Sequence, residues 1–298
     1  MRRVAFLTLD DPTGFVIDDE LAVAPLAALG WAVETVSWRA DADWGAFEAV
    51  VIRSPWDYSA APEAFLAVLE TIDASPAVLL NGLDTVRWNL RKTYLRAMEA
   101  AGVPTIPTVW RERLAPGEAA GLFDAVAALT GAPADEIVVK PTVGANASGA
   151  FRLTRDAPRA AEVEAHYADL PLMAQPFVPA VVAEGEFSVF AFGGTVAHTI
   201  LKTPAPRDFR VQEEHGGIIT AVAPEPALLA AAQRAFDATA LAVGEPLLYA
   251  RADLVRSPGG AFWLMEVEVV EPALYFRMDA EAPRRFAEAF AARMASGA

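Results

Sequence analysis

The feature that most constrains the fold is a stretch near the carboxyl end, YARADLVRSPGGAFWLMEVEVVEP, at residues 249–272. Two segments with a period of two flank Ser257-Pro258-Gly259-Gly260, and this pattern predicts an antiparallel hairpin. In the register that a four-residue loop would set, Asp253 faces Leu264 across the hairpin. The chain must therefore bury one face of a hairpin whose other face is strongly acidic.

In that register, one face carries Leu264 together with three carboxylates, and Asp253 and Glu266 form a diagonal pair about 7–8 Å apart. The acidic residues of this face are Asp253, Glu266 and Glu268, and the buried face would carry Trp263, Met265, Val267 and Val269. Carboxylates so close repel one another unless a cation lies among them, and hard oxygen ligands suit Mg²⁺. The residues alone also allow a solvated acidic face on which Arg251 pairs with Glu266.

Composition narrows the functional class. The 298 residues are 54% hydrophobic and 21% charged, which is typical of a globular protein, and the net charge of −15 argues against nucleic acid or an anionic membrane as partner. The absence of cysteine excludes disulfides and thiolate zinc sites. The first apolar run is too short for a signal peptide, and no run reaches 18 apolar residues. We therefore expect a soluble, cytoplasmic protein.

The first 85 residues alternate between strand and helix patterns, which predicts a parallel open sheet with helices on both faces. The expected strands are residues 4–9, 32–36, 47–52 and 77–80, and the expected helices are 18–30 and 62–73. Ligands of such sheets bind beyond the carboxyl ends of the strands. Arg53 and Asp57 follow the third strand and are candidate substrate contacts, unless they simply pair with each other.

Two lysines in the middle of the chain could meet an anion. Lys92 falls on the polar side of a helix predicted at 84–102, and Lys140 ends a short apolar strand at 136–140. A lysine at the end of a buried strand is costly without an anion. The small residues and two glycines of 144–149 would let backbone N–H groups approach phosphate. A glycine-bearing hairpin loop explains the same residues equally well.

A cationic loop follows Lys202 in an otherwise acidic chain. Lys202, Arg207 and Arg210 lie within residues 202–217, which suggests a nearby anion. The alternative is a solvated loop whose cations pair with Asp208, Glu213 or Glu214.

The order of these sites resembles the ATP-grasp superfamily of ATP-dependent ligases over roughly residues 81–272. Within it, the chain is most similar to the branch that holds glutathione synthetase, ribosomal-protein S6 glutamate ligases and the O-ureidoserine cyclo-ligases of cycloserine biosynthesis. RSPWDY, WNLRKTYL, KTPAPRDFRVQ and EVEVVEP look most like these cyclo-ligases and their relatives. The resemblance implies an α/β (α+β) fold in three domains. These are an open parallel α/β domain (1–88), a lid domain (89–175) and an antiparallel-sheet domain carrying the metal site (176–298).

The resemblance also implies which residues bind ATP. They are Lys92 and Lys140 for the phosphates, Gln175, Phe177 and Val178 for adenine, Glu186 or alternatively Glu184 for ribose, and Gly144, Ser148 and Gly149 in a lid loop.

The remaining implied roles concern metal and chemistry. Arg210, helped by Lys202, would contact the γ-phosphate and the substrate carboxyl group, and Asp253, Glu266 and Glu268 would hold two Mg²⁺ ions, or Mn²⁺. Glu268 stands where the superfamily usually has asparagine. The implied reaction turns a carboxylate or carbamoyl group of a small amino-acid-like substrate into an acyl phosphate for attack by an amine, in some cases within one molecule. A kinase and a non-catalytic ATP-binding protein are the alternatives, and a homo-oligomer is common in this branch.

Overall fold

The computed structural model describes residues 1–144, 147–156 and 159–297. Within these residues, the strands form three sheets that follow one another along the chain. The first and third sheets share one apolar core, each of these two sheets has a further core on its other face, and the second sheet has a core of its own. Among the helices of the described residues, none is long and apolar enough to cross a membrane.

The first sheet is parallel, as predicted, and its strand order is β2-β1-β3-β4. Its strands are β1 (Arg2–Thr8), β2 (Trp31–Ser37), β3 (Ala49–Ser54) and β4 (Val78–Leu80). The accompanying helices are α1 (Val23–Ala28) and α2 (Pro62–Asp73). The predicted helix at 18–30 is shorter in the structure, because a 3-10 turn at Asp19–Ala22 precedes α1.

The second sheet is antiparallel, with order β5-β8-β6-β7. Its strands are β5 (Val109–Arg111), β6 (Glu136–Pro141), β7 (Phe151–Thr154) and β8 (Leu172–Pro176). Helices α5 (Ala119–Thr130) and α6 (Ala160–His166) cover it. Parts of the loop predicted to close over phosphate, residues 145 and 146, lie outside the described residues.

The third sheet is antiparallel, with order β11-β10-β9-β12-β13. Its strands are β9 (Glu186–Phe192), β10 (Thr195–Thr203), β11 (Ile218–Ala221), β12 (Tyr249–Arg256) and β13 (Phe262–Glu268). The short helix α7 (Ala180–Ala183) precedes it, α8 (Pro226–Val243) packs on one face, and α9 (Ala282–Ala295) fills the space between the other face and the first sheet. The predicted domain boundaries at 88 and 175 remain a prediction.

The helix predicted at 84–102 is two helices, α3 (Leu83–Asn89) and α4 (Tyr94–Ala100). Lys92 lies in the break between them instead of on a helix face. Its backbone N–H donates to the Thr142 carbonyl (2.7 Å), so it cannot make the helical bond. The break ties Lys92 to the end of β6, close to Lys140.

The register predicted for the acidic hairpin is wrong. Asp253 lies directly opposite Glu266, not Leu264, and Arg251 lies opposite Glu268. The register shifts beyond Asp253, where β13 contains an extra residue. The direct pairing brings the two acids closer than the diagonal arrangement would.

This bulge, at Met265, also changes which residues face the core. Leu264 and Val267 both enter the apolar cluster under α8, whereas Met265 turns to the opposite side and lines a cleft. Because side chains alternate along a strand, an inserted residue exchanges the faces of everything before it. The bulge is what places an apolar side chain next to the acids.

Candidate active site

One cleft lies where the three sheets meet, and most of the predicted site residues line it. They are Lys92, Lys140, Gly144, Ser148, Gln175, Phe177, Val178, Glu186, Lys202, Arg210, Asp253, Glu266 and Glu268. Lys92 and Glu266, which are 174 positions apart in sequence, thus share one surface. Gly149, Glu184, Arg53 and Asp57 are not part of this lining.

The two lysines face the acids across the cleft. Lys92 Nζ donates to the Gly144 carbonyl (3.1 Å) and forms an ion pair with Glu266. Burial lowers the pKa of Lys140 below its ordinary value, although Glu266 acts in the other direction. Lys140 is half-buried, and among the described residues no carboxylate forms an ion pair with it, so an anion such as phosphate would stabilise its ammonium group.

Two cations lie among the carboxylates. Arg251 Nη2 donates to Asp253 (3.0 Å) and to Glu268. Lys202 Nζ donates to Glu186 (3.0 Å) and to Asp253 (3.2 Å), and Lys202 is only 3% exposed. Lys202 is therefore a buried member of the network and not a mobile cation of the loop that follows it.

Burial acts against the charged forms of these acids. It raises the pKa of Glu268 to about 8 and also raises the pKa of Glu186. For Asp253 burial acts in the same direction, but Arg251 and Lys202 outweigh it and hold its pKa below the ordinary value. An added divalent cation would favour ionised Glu268.

The donor set fits a hard cation only in part. Among the described residues, no three acid or histidine side chains are already gathered around a common point. Glu266 and Glu268 present carboxylate oxygens to the cleft, which suits Mg²⁺. The oxygens of Asp253 already accept hydrogen bonds from Ser188, Lys202 and Arg251.

The cationic loop reaches the cleft through Arg210. Its guanidinium donates to the Asp208 carboxylate (2.8 Å), the pairing that the alternative interpretation of the loop expected. The pair is partly exposed, so Arg210 can exchange Asp208 for a ligand at small cost.

Arg53 and Asp57 lie at the end of β3 and in the turn after it, as predicted, but their side chains make other contacts than the cleft offers. Arg53 is 1% exposed, and it donates to Asp19 (3.0 Å) and to the Pro272 carbonyl (3.0 Å). Asp57 accepts from the Trp38 indole (2.7 Å) and pairs with Arg39. The two residues neither line the cleft nor pair with each other.

Of the two candidate ribose contacts, Glu186 lies in the cleft and Glu184 does not. Glu184 pairs with Arg256 (2.9 Å) away from the cleft, whereas Glu186 lines it. At the predicted adenine end, the buried Gln175 donates to the Thr108 hydroxyl (2.9 Å). Gly149 supports the second sheet, since its carbonyl accepts a hydrogen bond from the Tyr167 hydroxyl.

Several cleft residues escaped the sequence reasoning. They are Arg251, Glu271, Trp56, Tyr58 and Tyr275. Arg251 was expected only as an ion-pair partner of Glu266, whereas it pairs with Asp253 and Glu268; its place two residues before Asp253, on the same strand face, could have indicated this. Glu271 was harder to identify as a cleft residue, because in the sequence it is only one more acid after the hairpin.

Comparisons with known proteins agree with this architecture. Residues 4–81 match the family model for the N-terminal domain of D-cycloserine synthetase DcsG. The chain is 34% identical to the cycloserine biosynthesis protein DcsG of Streptomyces lavendulae, over 89% of this chain and 90% of that protein. The crystal structure of D-cycloserine synthetase DcsG superimposes with a TM-score of 0.85 at 30% identity, covering 98% of this chain and 99% of the other.

More distant structures share the fold alone. The ATP-grasp ligase PsnB, with its precursor, Mg and ADP, gives a TM-score of 0.63 at 14% identity and 98% coverage of both chains. The D-alanine–D-alanine ligase of Bacillus anthracis gives 0.68 at 12% identity and 99% coverage of both. The predicted ATP-grasp fold is confirmed. The chain belongs to the family of the cycloserine biosynthesis protein DcsG, and it is an ATP-grasp carbon–nitrogen ligase.

Proposed function

We propose that this ligase uses Mg²⁺ and ATP to activate the carboxylate of a small amino-acid-like substrate, and that a nitrogen of the same molecule then closes a ring. The observation that carries this is the meeting of Lys92, Lys140, Glu266 and Glu268 in one cleft. Because the relatives at 30–34% identity are named for cycloserine, O-ureidoserine is the first substrate to test.

The chemistry needs no protein nucleophile. A carboxylate oxygen attacks the γ-phosphorus, the bond to the β-phosphate oxygen breaks, and ADP and an acyl phosphate result. The nitrogen then attacks the acyl carbon and loses a proton. The C–O bond to phosphate breaks, which leaves an amide bond and free phosphate.

The chain's cations would hold the phosphates. Lys92 would exchange Glu266 for a phosphate oxygen, and Lys140 would gain the anion that its half-buried position favours. Glu186 would accept from the ribose hydroxyls, and Gln175, Phe177 and Val178 would surround adenine beside Met265.

Glu266 and Glu268 would hold Mg²⁺ once Lys92 has turned to the nucleotide. The ion would supply positive charge at the transferring phosphoryl group, a contribution of several kcal/mol. Asp253 would become a ligand only if it gives up its bonds to Lys202 and Arg251, so a second ion depends on that exchange.

Arg251 and Arg210 would stabilise the charge that develops on the substrate. Arg251 is rigidly held between Asp253 and Glu268, which makes it a preorganised donor for the substrate carboxyl oxygen. Arg210 approaches from the loop, and its exposed pairing with Asp208 allows it to move toward the γ-phosphate. ATP supply places such an enzyme in the cytoplasm, and a homo-oligomer is part of this proposal.

The test is product analysis with ATP, Mg²⁺ and O-ureido-D-serine, followed by a panel of amino acids. The proposal expects ADP and free phosphate in equal amounts, together with a cyclised product. A kinase would release ADP while phosphate stays on the acceptor. Lys140→Met, which removes a predicted phosphate contact, is the control for contaminating ATPases and should lose the activity. Absence of ADP formation with every acceptor would overturn the proposal.

A further inference from the structure

The two ends of the cleft differ, and β13 runs from one end toward the other. At one end Met265 packs near Val178 in an apolar cluster that suits a base. Glu271 follows six residues later, up to about 20 Å along an extended chain, next to Tyr58 of the first sheet. The acids and lysines lie between these two ends. With adenine at the apolar end and phosphates in the middle, the end at Glu271 is left for the substrate.

Glu271 differs from the other acids of the cleft. Among the residues that the structure describes, every other buried or half-buried cleft carboxylate pairs with a lysine or arginine. Within the same residues, no ion pair joins Glu271 to a cation, and Tyr58 lies beside its carboxyl group in the lining of the cleft. A carboxylate in this position gains most from a cation that the protein itself does not supply.

The position of Glu271 is fixed from the first sheet. The Trp56 indole donates to the Glu271 carbonyl (2.9 Å), and the buried Arg53 guanidinium donates to the next carbonyl, that of Pro272 (3.0 Å). Arg53 thus stabilises the backbone beside the cleft, although its side chain does not line the cleft. A carboxylate whose backbone is held by two such bonds is preorganised for binding.

Aromatic side chains lie near Glu271. Trp56 and Tyr58 are beside it, Tyr275 lines the same cleft, and Phe15 packs against the Trp56 ring at 5.3 Å between centroids. Aromatic faces also attract organic cations, and the rings exclude water. Arg251 lies on the side toward the phosphates, where it can meet a carboxyl group.

We propose that Glu271 and Tyr58 form the subsite for the ammonium group of the substrate, and that they select α-amino acids over carboxylic acids without an amino group. The inference rests on the proposed function, since it places the substrate's carboxyl group at Arg251. The ammonium and carboxyl groups of one zwitterion then meet opposite charges at the two sides of the subsite.

Kinetics with paired substrates tests this. O-ureido-D-serine and the same compound without its α-amino group are compared in the wild type, Glu271→Gln and Tyr58→Phe. Glu271→Gln should lower kcat/KM for the amino compound by about 30-fold or more, the usual effect of removing one partner of a buried ion pair. The loss should appear mainly in KM, while the analogue and the KM of ATP change little. Tyr58→Phe should show a smaller loss in the same direction.

The control is Glu214→Gln, an exposed acid at the edge of the cleft, which should keep the preference. Equal losses with both compounds would assign Glu271 to nucleotide or metal binding and overturn the inference, as would a preference that survives Glu271→Gln. If the wild type converts neither compound, the choice of substrate for the proposed function fails instead.

A binding measurement then decides separately. Calorimetry with the Mg²⁺ complex of a non-hydrolysable ATP analogue compares D-serine with 3-hydroxypropanoate. The wild type should bind D-serine more tightly, and Glu271→Gln should remove the difference. Equal binding of the two compounds by the wild type would overturn the subsite.

Discussion

Replacing Glu266 by glutamine should remove activity while the fold survives. Glutamine keeps the shape of the side chain but not its charge. Lys92 would keep its bond to the Gly144 carbonyl (3.1 Å) and its attraction to Glu268 and Glu271. We expect the free energy of unfolding to fall by about 1–2 kcal/mol, because one charged hydrogen bond is weakened. For 298 residues, this lowers Tm by about 2–3 °C.

The effect on catalysis should be much larger. Glu266 is one of the two carboxylates that face the cleft and fit Mg²⁺, and it also attracts Lys140. Losing its charge should cost about 3–4 kcal/mol of transition-state stabilisation, since charge at the phosphoryl group is less well compensated. The corresponding fall in kcat is about 10²- to 10³-fold.

The assay is ADP release at saturating ATP while the Mg²⁺ concentration is varied, with thermal melting of each variant. Glu99→Gln, on the exposed side of α4, is the matched control and should leave kcat and Tm unchanged. A kcat within tenfold of the wild type at every Mg²⁺ concentration would contradict the predicted role of Glu266. So would a loss that merely follows the fraction of unfolded protein.

Three further outcomes are expected. Burial raises the pKa of Glu268 to about 8, so near neutral pH the folded state holds a proton that the unfolded state has lost. Tm without Mg²⁺ should therefore fall as the pH rises from 6.5 to 8.5, a range above that in which the buried His198 titrates. A rising Tm would contradict this. Asn89→Ala should lower the free energy of unfolding by about 2–3 kcal/mol in denaturant titrations, because the buried Val267 carbonyl and Val269 N–H lose their partner; a loss below about 0.5 kcal/mol would contradict it. Gly217→Ala would put a Cβ into the backbone carbonyl of Val211 and should reduce activity by displacing the cationic loop, whereas Gly121→Ala, in open space, should not; equal activity of both variants would contradict this.

Local patterns predicted much of this fold. The strand and helix alternation of the first 85 residues, the helix at Pro62–Asp73 and the strand at Glu186–Phe192 all follow from spacing of apolar residues within one element. The acidic hairpin was also visible, because its turn and its alternation are local. The order of the lysines and acids along the chain was specific enough to indicate one shared cleft.

What the sequence could not predict depends on distant partners. The helix breaks at Lys92 because its N–H bonds to Thr142, fifty residues later. Arg53 is drawn inward by Asp19 and the carbonyl of Pro272. The bulge that sets the faces of β13 has no local signal either, since a one-residue insertion satisfies the same apolar pattern.

The central claim is that the carboxylate of the substrate receives the γ-phosphoryl group within this cleft. The most direct measurement uses a substrate whose carboxylate oxygens are ¹⁸O, followed by mass spectrometry of the released phosphate. An acyl phosphate intermediate predicts one ¹⁸O atom in each phosphate, because the oxygen that attacked phosphorus leaves with it. Phosphate without ¹⁸O, formed along with the product, would contradict the account.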